Sequence, residues 1–114
     1  MKYSLSKFTV KQEKIKEVKR ALAELVSEVR KNEPRTLYLV FREEGRSTFF
    51  SLVSFADEAA WRRHAQSRYV DRFAKKLLPL CDGRPVFVDL AQFAASRKQW
   101  VLDDAGCGPT RSSG

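Results

Sequence analysis

Residues 35–55 read Arg-Thr-Leu-Tyr-Leu-Val-Phe-Arg-Glu-Glu-Gly-Arg-Ser-Thr-Phe-Phe-Ser-Leu-Val-Ser-Phe, and this stretch decides the fold. Two strand-like runs, 35–43 and 46–55, flank the pair Glu44-Gly45. Glycine adopts a positive φ at little cost, which suits a tight turn between antiparallel strands. The stretch therefore predicts a β-hairpin.

Both faces of this hairpin are apolar, because side chains alternate between the two faces of a strand. On the first strand, Leu37, Leu39 and Phe41 point to one face, and Tyr38 and Val40 point to the other. On the second strand, Phe49, Val53 and Phe55 point to one face, and Phe50 and Leu52 point to the other. Leaving several such side chains in water costs several kcal/mol, at about 25 cal/mol per Å² of apolar surface. The sheet therefore needs a cover on each face.

The residues before the hairpin predict a strand and a long helix. Residues 3–10 are strand-like, and Thr9 and Gln12 have the spacing of a capping box. Apolar residues then recur at steps of 3, 4, 3 and 4, which marks one face of a helix: Ile15, Val18, Leu22, Leu25 and Val29. Asn32 and Pro34 predict the end of this helix.

The residues after the hairpin predict a broken helical region and a last strand. Ser54 and Asp57 again have capping-box spacing, ahead of Ala59-Ala60-Trp61. The helix is expected to break near Ser67 and to continue with an apolar stripe of Tyr69, Phe73, Leu77 and Leu80. Residues 85–91 read as a strand.

The resulting order, β-α-β-β-α-β, is that of an α+β ferredoxin-like domain over residues 1–91. The helices of such a unit cover one face of its antiparallel sheet. A homodimer that packs sheet against sheet would cover the other face. The alternative is that the tail, residues 92–114, folds back over it; this segment is expected to be flexible or partly helical, with Phe93, Arg97 and Trp100 able to share a helix face.

The positive charge is spread along the chain. There are 22 basic and 14 acidic residues among 114, a net charge of +8, and no segment is a strongly basic block. On the first predicted helix, lysines and glutamates are interleaved, which is typical of a solvated helix face. An anionic partner is the alternative interpretation.

The cysteine spacing and the lack of a long apolar run argue against a metal-binding, membrane-spanning or secreted protein. Cys81 and Cys107 have no partner at metal-ligand spacing, and Cys81 is expected to be an unreactive thiol because it follows a helix C-terminus. No run approaches 18 apolar residues, and the N-terminus lacks the apolar run of a secretory signal. We therefore expect a cytoplasmic protein with neither metal nor membrane span.

Three stretches carry a resemblance to a known family. Residues 8–18 read Phe-Thr-Val-Lys-Gln-Glu-Lys-Ile-Lys-Glu-Val, residues 55–64 read Phe-Ala-Asp-Glu-Ala-Ala-Trp-Arg-Arg-His, and residues 65–73 read Ala-Gln-Ser-Arg-Tyr-Val-Asp-Arg-Phe. A helix-borne His followed by Ser and aromatic residues is typical of this region in the family. Over about residues 3–91 the chain resembles the antibiotic biosynthesis monooxygenase family, whose fold is a dimeric α+β barrel.

The resemblance implies a cofactor-independent monooxygenase that oxidises a small phenol or quinol with dioxygen. It does not favour the haem-degrading branch, which uses an Asn on the first strand, because residues 3–10 contain none. By alignment that branch's Trp falls on His64 and its His near Ala74. No cofactor is therefore expected.

The only histidine, His64, is the candidate catalytic base, because its ordinary pKa lies near neutrality. Tyr69 or Tyr38 would orient the substrate oxygen, and the aromatic walls would be Trp61, Phe50 and Phe73. The structural alternative is that His64 only satisfies a hydrogen bond and that Trp61 and Phe73 belong to the core.

Two other functions stay open. The first is a non-catalytic dimeric barrel that binds a small apolar ligand. The second is an RNA-binding module of the same element order, with aromatic residues exposed on the sheet. The third strand lacks the Gly-Phe-Gly-Phe pattern of such modules, since Gly45 is followed by Arg-Ser-Thr. A nucleic-acid partner is therefore not favoured.

Overall fold

A computed structural model describes residues 1–97 of the chain. Its elements, in chain order, are β1 (Lys2–Thr9), α1 (Ile15–Asn32), β2 (Leu37–Arg42), β3 (Thr48–Phe55), α2 (Glu58–Ala65), α3 (Arg68–Leu77) and β4 (Val86–Leu90). Short 3₁₀ turns, Gln12–Lys14 and Leu78–Leu80, precede α1 and follow α3. The order confirms the ferredoxin-like α+β fold.

The four strands form one antiparallel sheet in the order β2-β3-β1-β4. The hairpin of β2 and β3 is confirmed, and its register pairs Tyr38 with Val53. Gly45 has φ +74° in the turn, where a side chain would be strained. Because the turn fixes the register, it also decides which side chains share a face.

The core lies between one face of the sheet, which we call the helix face, and the helices. The apolar stripe of α1 is buried as the sequence predicted, at Val18, Leu22, Leu25 and Val29. Val18 and Leu22 pack in one cluster with Phe8, Phe49 and Leu77. A second cluster joins Ala60 of α2 to Val53 and Phe55. The helices therefore cover two neighbouring regions of the helix face, one at each cluster.

Two predicted capping boxes are wrong, and the predicted break at Ser67 is confirmed. The Thr9 hydroxyl lies 2.8 Å from the Thr48 hydroxyl across the sheet, so it does not cap α1. Ser54 belongs to β3, and Asp57 itself caps α2 by accepting from the Ala60 N–H at 2.8 Å. The Ser67 hydroxyl accepts from the Val70 N–H at the start of α3.

The opposite face of the sheet carries no helix, and we call it the open face. By register it includes Tyr3, Leu5, Lys7, Leu37, Leu39, Phe41, Phe50, Leu52, Ser54, Val86, Val88 and Leu90. Its exposed apolar side chains are Phe41 at 52%, Val86 at 53%, Val88 at 42% and Leu90 at 40%. The apolar second face predicted from alternation is therefore present.

The described part of the tail does not bury this face. Residues 91–97 form neither helix nor strand and are exposed. They border a concavity of about 540 Å³ with Tyr3, Leu52 and Leu90, and the Tyr3 hydroxyl donates to the Gln92 side chain at 2.9 Å. The predictions for Trp100 and Cys107 lie outside the described residues. Within residues 1–97, no helix combines the length and the apolar character needed to cross a bilayer.

Candidate functional site

A cavity of about 360 Å³ lies between the helix face of the sheet and helices α2 and α3. Its lining is mostly apolar, with Phe8, Val53, Phe55, Trp61, Val70, Phe73 and Leu77 among the contributors. The polar side chains that reach it are Ser4, Ser6, Ser51, Tyr38 and His64. Small-molecule sites usually combine an apolar wall with a few polar groups in this way.

The ring of His64 is held among aromatic side chains at the wall of this cavity. His64 lies in the last turn of α2, where the Asp57 cap begins the helix. Its ring centroid is 5.1 Å from that of Phe55 and 5.9 Å from that of Tyr38. The Ser67 hydroxyl donates to the His64 carbonyl at 2.7 Å. Backbone and ring are therefore both fixed by neighbouring elements.

A carboxylate at the end of α1 holds one nitrogen of this ring. The His64 Nδ1 lies 2.8 Å from the Glu33 Oε2, and the Tyr69 hydroxyl donates to the same oxygen. Both members of this hydrogen-bonded pair are nearly buried, with side-chain exposures of 12% for His64 and 10% for Glu33. Three separate helical elements thus meet at one carboxylate oxygen.

The second nitrogen of the ring has no partner in the described part of the chain. Among residues 1–97, the His64 Nε2 has no hydrogen-bond partner, yet it is not sealed from solvent. By contrast, the Glu33 Oε1 is fully buried and has no partner among these residues. Of the two ring nitrogens of His64, Nδ1 is therefore paired with Glu33, and Nε2 has no partner among the described residues.

Tyr38 supplies a neutral hydroxyl to the cavity. Burial raises the pKa of Tyr38 because the phenolate would lose its hydration, and the neighbouring Ser51 hydroxyl opposes this rise. The Ser6 and Ser51 hydroxyls, which also line the cavity, form a hydrogen bond with each other. Tyr38 consequently stays protonated near neutral pH and can donate a hydrogen bond to a bound oxygen.

Trp61 and Phe73 are both wall and core. Both line the cavity, and each also packs against a buried cluster, Trp61 beside Val53 and Phe55, and Phe73 in the main core. The Lys2 ammonium lies 4.9 Å from the centroid of the Trp61 ring. Trp61 and Phe73 therefore belong both to the core and to the wall of the cavity.

Two expected site residues lie elsewhere. Phe50 is paired with Phe41 and Lys7 on the open face, so it cannot line the cavity with Tyr38, and that expectation is wrong. The physical reason is alternation, since Phe50 is an odd number of residues from Val53. Tyr69 does not line the cavity either, because its hydroxyl points to Glu33.

Glu33 is a site residue that was not predicted from the sequence. Residues 32–34 predict the end of the helix, but Glu33 lies four residues after Val29 and so continues the buried stripe of α1. An acidic residue at the next position of an apolar stripe is the signal that could have found it. Such a residue must be paired when buried, since an unpaired buried charge is costly.

The described residues form neither a cluster of metal ligands nor an activated thiol. Within residues 1–97, no three His, Cys, Asp or Glu side chains are placed to hold a metal ion. Cys81 is buried, and desolvation raises the pKa of its thiol. Its thiolate, the reactive form, is therefore disfavoured.

Three solved structures have the same fold. A protein named antibiotic biosynthesis monooxygenase is 22% identical, with a TM-score of 0.75, over 82% of this chain and 100% of its own. PA3566 from Pseudomonas aeruginosa is 21% identical, with a TM-score of 0.71, over 82% and 94%. Rv0793 from Mycobacterium tuberculosis is 11% identical, with a TM-score of 0.76, over 84% and 98%. At such identities these likenesses show the fold alone.

Comparison of sequences shows the family. No curated protein matches the chain. The sequence model of the family described as antibiotic biosynthesis monooxygenase matches residues 1–76, which run from β1 almost to the end of α3 and make up more than half of the chain. The three stretches that suggested this resemblance lie within that match. The chain belongs to the antibiotic biosynthesis monooxygenase family.

Proposed function

We propose that this protein is a monooxygenase that oxidises a small phenol or quinol with dioxygen and uses neither metal nor flavin. The observation that carries the proposal is the position of His64, which lines an apolar cavity with one ring nitrogen unoccupied. Family membership supports the reaction class. The substrate class follows from what the cavity would accept and what a base beside it would activate.

The size and lining of the cavity favour an aromatic substrate. A cavity of roughly 150 Å³ lined by apolar side chains binds benzene. The present cavity measures about 360 Å³, which leaves room for two or three fused rings. Aromatic walls such as Trp61 and Phe73 would hold the ring by stacking and edge contacts. The few polar groups would then fix which edge of the ring faces His64.

Proton transfer would begin the reaction. The His64 Nε2 takes the phenolic proton, and the Tyr38 hydroxyl donates a hydrogen bond to the phenolate oxygen. General-base catalysis of this kind contributes about 10² to 10⁴ in rate. The hydrogen bond from Tyr38 is strengthened by the low polarity of the cavity. Deprotonation matters because a phenolate gives up an electron far more readily than a phenol.

The oxidation then balances without any further reductant. The phenolate transfers one electron to dioxygen, and the resulting superoxide and phenoxyl radical combine at a ring carbon that bears hydrogen, para to the oxygen in a simple phenol and ortho to it in a 1,4-quinol. The imidazolium of His64 protonates the peroxide formed there. Loss of the proton on that carbon, with cleavage of the O–O bond, releases water and leaves a quinone. One atom of dioxygen enters the product and the other leaves in water.

Oxygen consumption tests this proposal. Chelator-treated protein, with no added flavin, is mixed with a panel of one- to three-ring phenols and quinols, and the product is analysed after reaction under ¹⁸O₂. We expect uptake dependent on the substrate, one labelled oxygen in the product, and a loss of about 10²-fold or more in His64→Ala. Gln66→Ala, an exposed neighbour, is the control and should keep its activity.

Two results would overturn the proposal. Uptake that His64→Ala leaves unchanged would remove the assigned base. A ligand that binds in the cavity with no uptake by any member of the panel would favour the non-catalytic binding barrel instead.

We also propose that the protein is a homodimer that packs one open face against another. The support is the exposed apolar surface of that face, including Phe41 and Val88, which the described tail residues do not bury. Contiguous apolar patches of this kind usually mark an interface.

A further inference from the structure

The hydrogen-bond donors around Glu33 define the state of His64. The Glu33 Oε2 receives the Tyr69 hydroxyl and faces the His64 Nδ1 at 2.8 Å. An ionised carboxylate only accepts, and its oxygen has two lone pairs, one for each of these donors. Nδ1 must then carry the proton, and Nε2 is left as the acceptor. This is the tautomer that a base acting from Nε2 requires.

The burial of Glu33 is not explained by packing alone. Its side chain is only 10% exposed, and its Oε1 is fully buried without a partner among residues 1–97. A buried carboxylate that is only half satisfied costs stability, and an apolar residue of the same size would avoid that cost. Groups of this kind are often kept because a site needs them.

We propose that Glu33 and Tyr69 are positioning residues that hold His64 in the tautomer with the proton on Nδ1 and Nε2 free toward the substrate. The inference rests on the proposed function, in which Nε2 is the base. Glu33 acts on His64 directly, through Nδ1, and stabilises the imidazolium that forms on proton uptake. Tyr69 acts through Glu33, because it fixes the carboxylate that fixes the ring. Neither residue touches the substrate.

The other charged groups nearby do not replace this pair. Arg35, Asp57 and Arg63 line a separate concavity that Glu33 also borders, and none of them forms an ion pair with Glu33 among the described residues. The Tyr38 ring lies 5.9 Å from the His64 ring, centroid to centroid, at a tilt of 37°, and in the described structure Tyr38 makes no hydrogen bond to Nδ1. The Glu33 carboxylate is therefore the single acceptor that sets the tautomer within residues 1–97.

The single histidine makes the tautomer directly measurable. With ¹⁵N-labelled protein, the two ring nitrogens of His64 give one set of signals, which report which nitrogen carries the proton. We expect the proton on Nδ1 in the wild type. Glu33→Leu removes the carboxylate that accepts from Nδ1 and should shift the population to the Nε2–H form that an unconstrained imidazole prefers. Glu33→Gln, whose amide can donate to Nδ1, should shift it in the same direction.

Matched controls separate this role from a loss of folding. Glu17→Gln changes a carboxylate on the same helix that pairs with Lys14, and Tyr3→Phe removes a hydroxyl on the open face. Both should keep the wild-type signals, whereas Tyr69→Phe should weaken the Nδ1–H preference. Thermal melts identify any variant that has unfolded. If Nδ1–H remains the dominant form in both Glu33 variants, Glu33 does not position His64.

Kinetics then distinguish this inference from the proposed function. A positioning role predicts that Glu33→Gln lowers kcat roughly 10- to 100-fold and leaves KM within about twofold. Unchanged kcat together with an altered tautomer would overturn the catalytic importance of the arrangement. If the wild type turns over no substrate, the proposed function fails, while the ¹⁵N signals still decide whether Glu33 sets the tautomer.

Discussion

Tyr38 and Tyr69 both lie beside the ring of His64, but their hydroxyl groups have different surroundings. Tyr38 lines the cavity, and Tyr69 donates to Glu33. Desolvation, with the hydrogen bond to Glu33 and its charge, raises the pKa of Tyr69 to about 12. The two hydroxyls thus remain protonated throughout the physiological range, one for a ligand and one for the carboxylate.

The raised pKa of Tyr69 predicts a loss of stability in alkali. A group whose pKa is higher in the folded chain stabilises the fold fully below its unfolded pKa, about 10, and this contribution disappears as the pH rises through 12. Urea unfolding between pH 9 and 12 should therefore give a steeper fall in the free energy of unfolding for the wild type than for Tyr69→Phe. Tyr3→Phe should keep the wild-type slope; equal slopes in all three proteins would refute the prediction.

Local chemistry explains which site residues the sequence could predict. His64 stands out because it is the only histidine, and Tyr38 because it is one of only three tyrosines; both line the cavity. Phe50 was misplaced because its aromatic character was weighed above its position in the alternation. The bond between Glu33 and His64 joins residues 31 apart, and no local pattern encodes such a contact.

The short helices α2 and α3 depend on their caps. Each begins at a side chain that accepts from the backbone, Asp57 for α2 and Ser67 for α3. Helices of 8 and 10 residues are marginal by themselves, so these hydrogen bonds and the packing of Ala60 and Leu77 keep them formed. Since α2 carries His64, its cap supports the candidate site directly.

Removing the Asp57 cap should destabilise the protein. We expect Asp57→Ala to lower the free energy of unfolding by about 1 kcal/mol, because the Ala60 N–H loses its acceptor. Chemical denaturation measures this change. Asp82→Ala is the control, since the Asp82 side chain is exposed and makes no hydrogen bond among residues 1–97. An equal loss in both variants would mean that the cap contributes nothing.

The helices and strands were predictable and their caps were not, for one physical reason. Sequence signals accumulate over a whole element, so the apolar stripe of α1, with its period of 3.6 residues, and the apolar run of β3 are strong. A capping box depends on two residues only. Thr9 and Ser54 have its spacing but lie in strands, where Thr9 pairs with Thr48 instead.

At the scale of the whole molecule, the two faces of the sheet have different surroundings. The helix face encloses the cavity with His64, and the open face presents apolar side chains to solvent. The strands alternate between the two, so neighbouring residues such as Phe87 and Val88 belong to opposite surfaces. Both apolar faces could be predicted from the sequence. What covers the second face could not, because the pattern within one chain does not specify a contact with another chain.

The proposed dimer can be tested by placing one charge on either surface. Val88→Glu puts a carboxylate on the open face, where its burial against a second copy would be costly, so we expect dissociation to monomers. Val88 is already 42% exposed in the single chain, so the fold itself should survive. Phe87→Glu puts the same charge on the adjacent residue and the other face, and should leave the dimer intact. Sedimentation at micromolar concentration measures both; a monomeric wild type, or equal behaviour of the two variants, would rule out this interface.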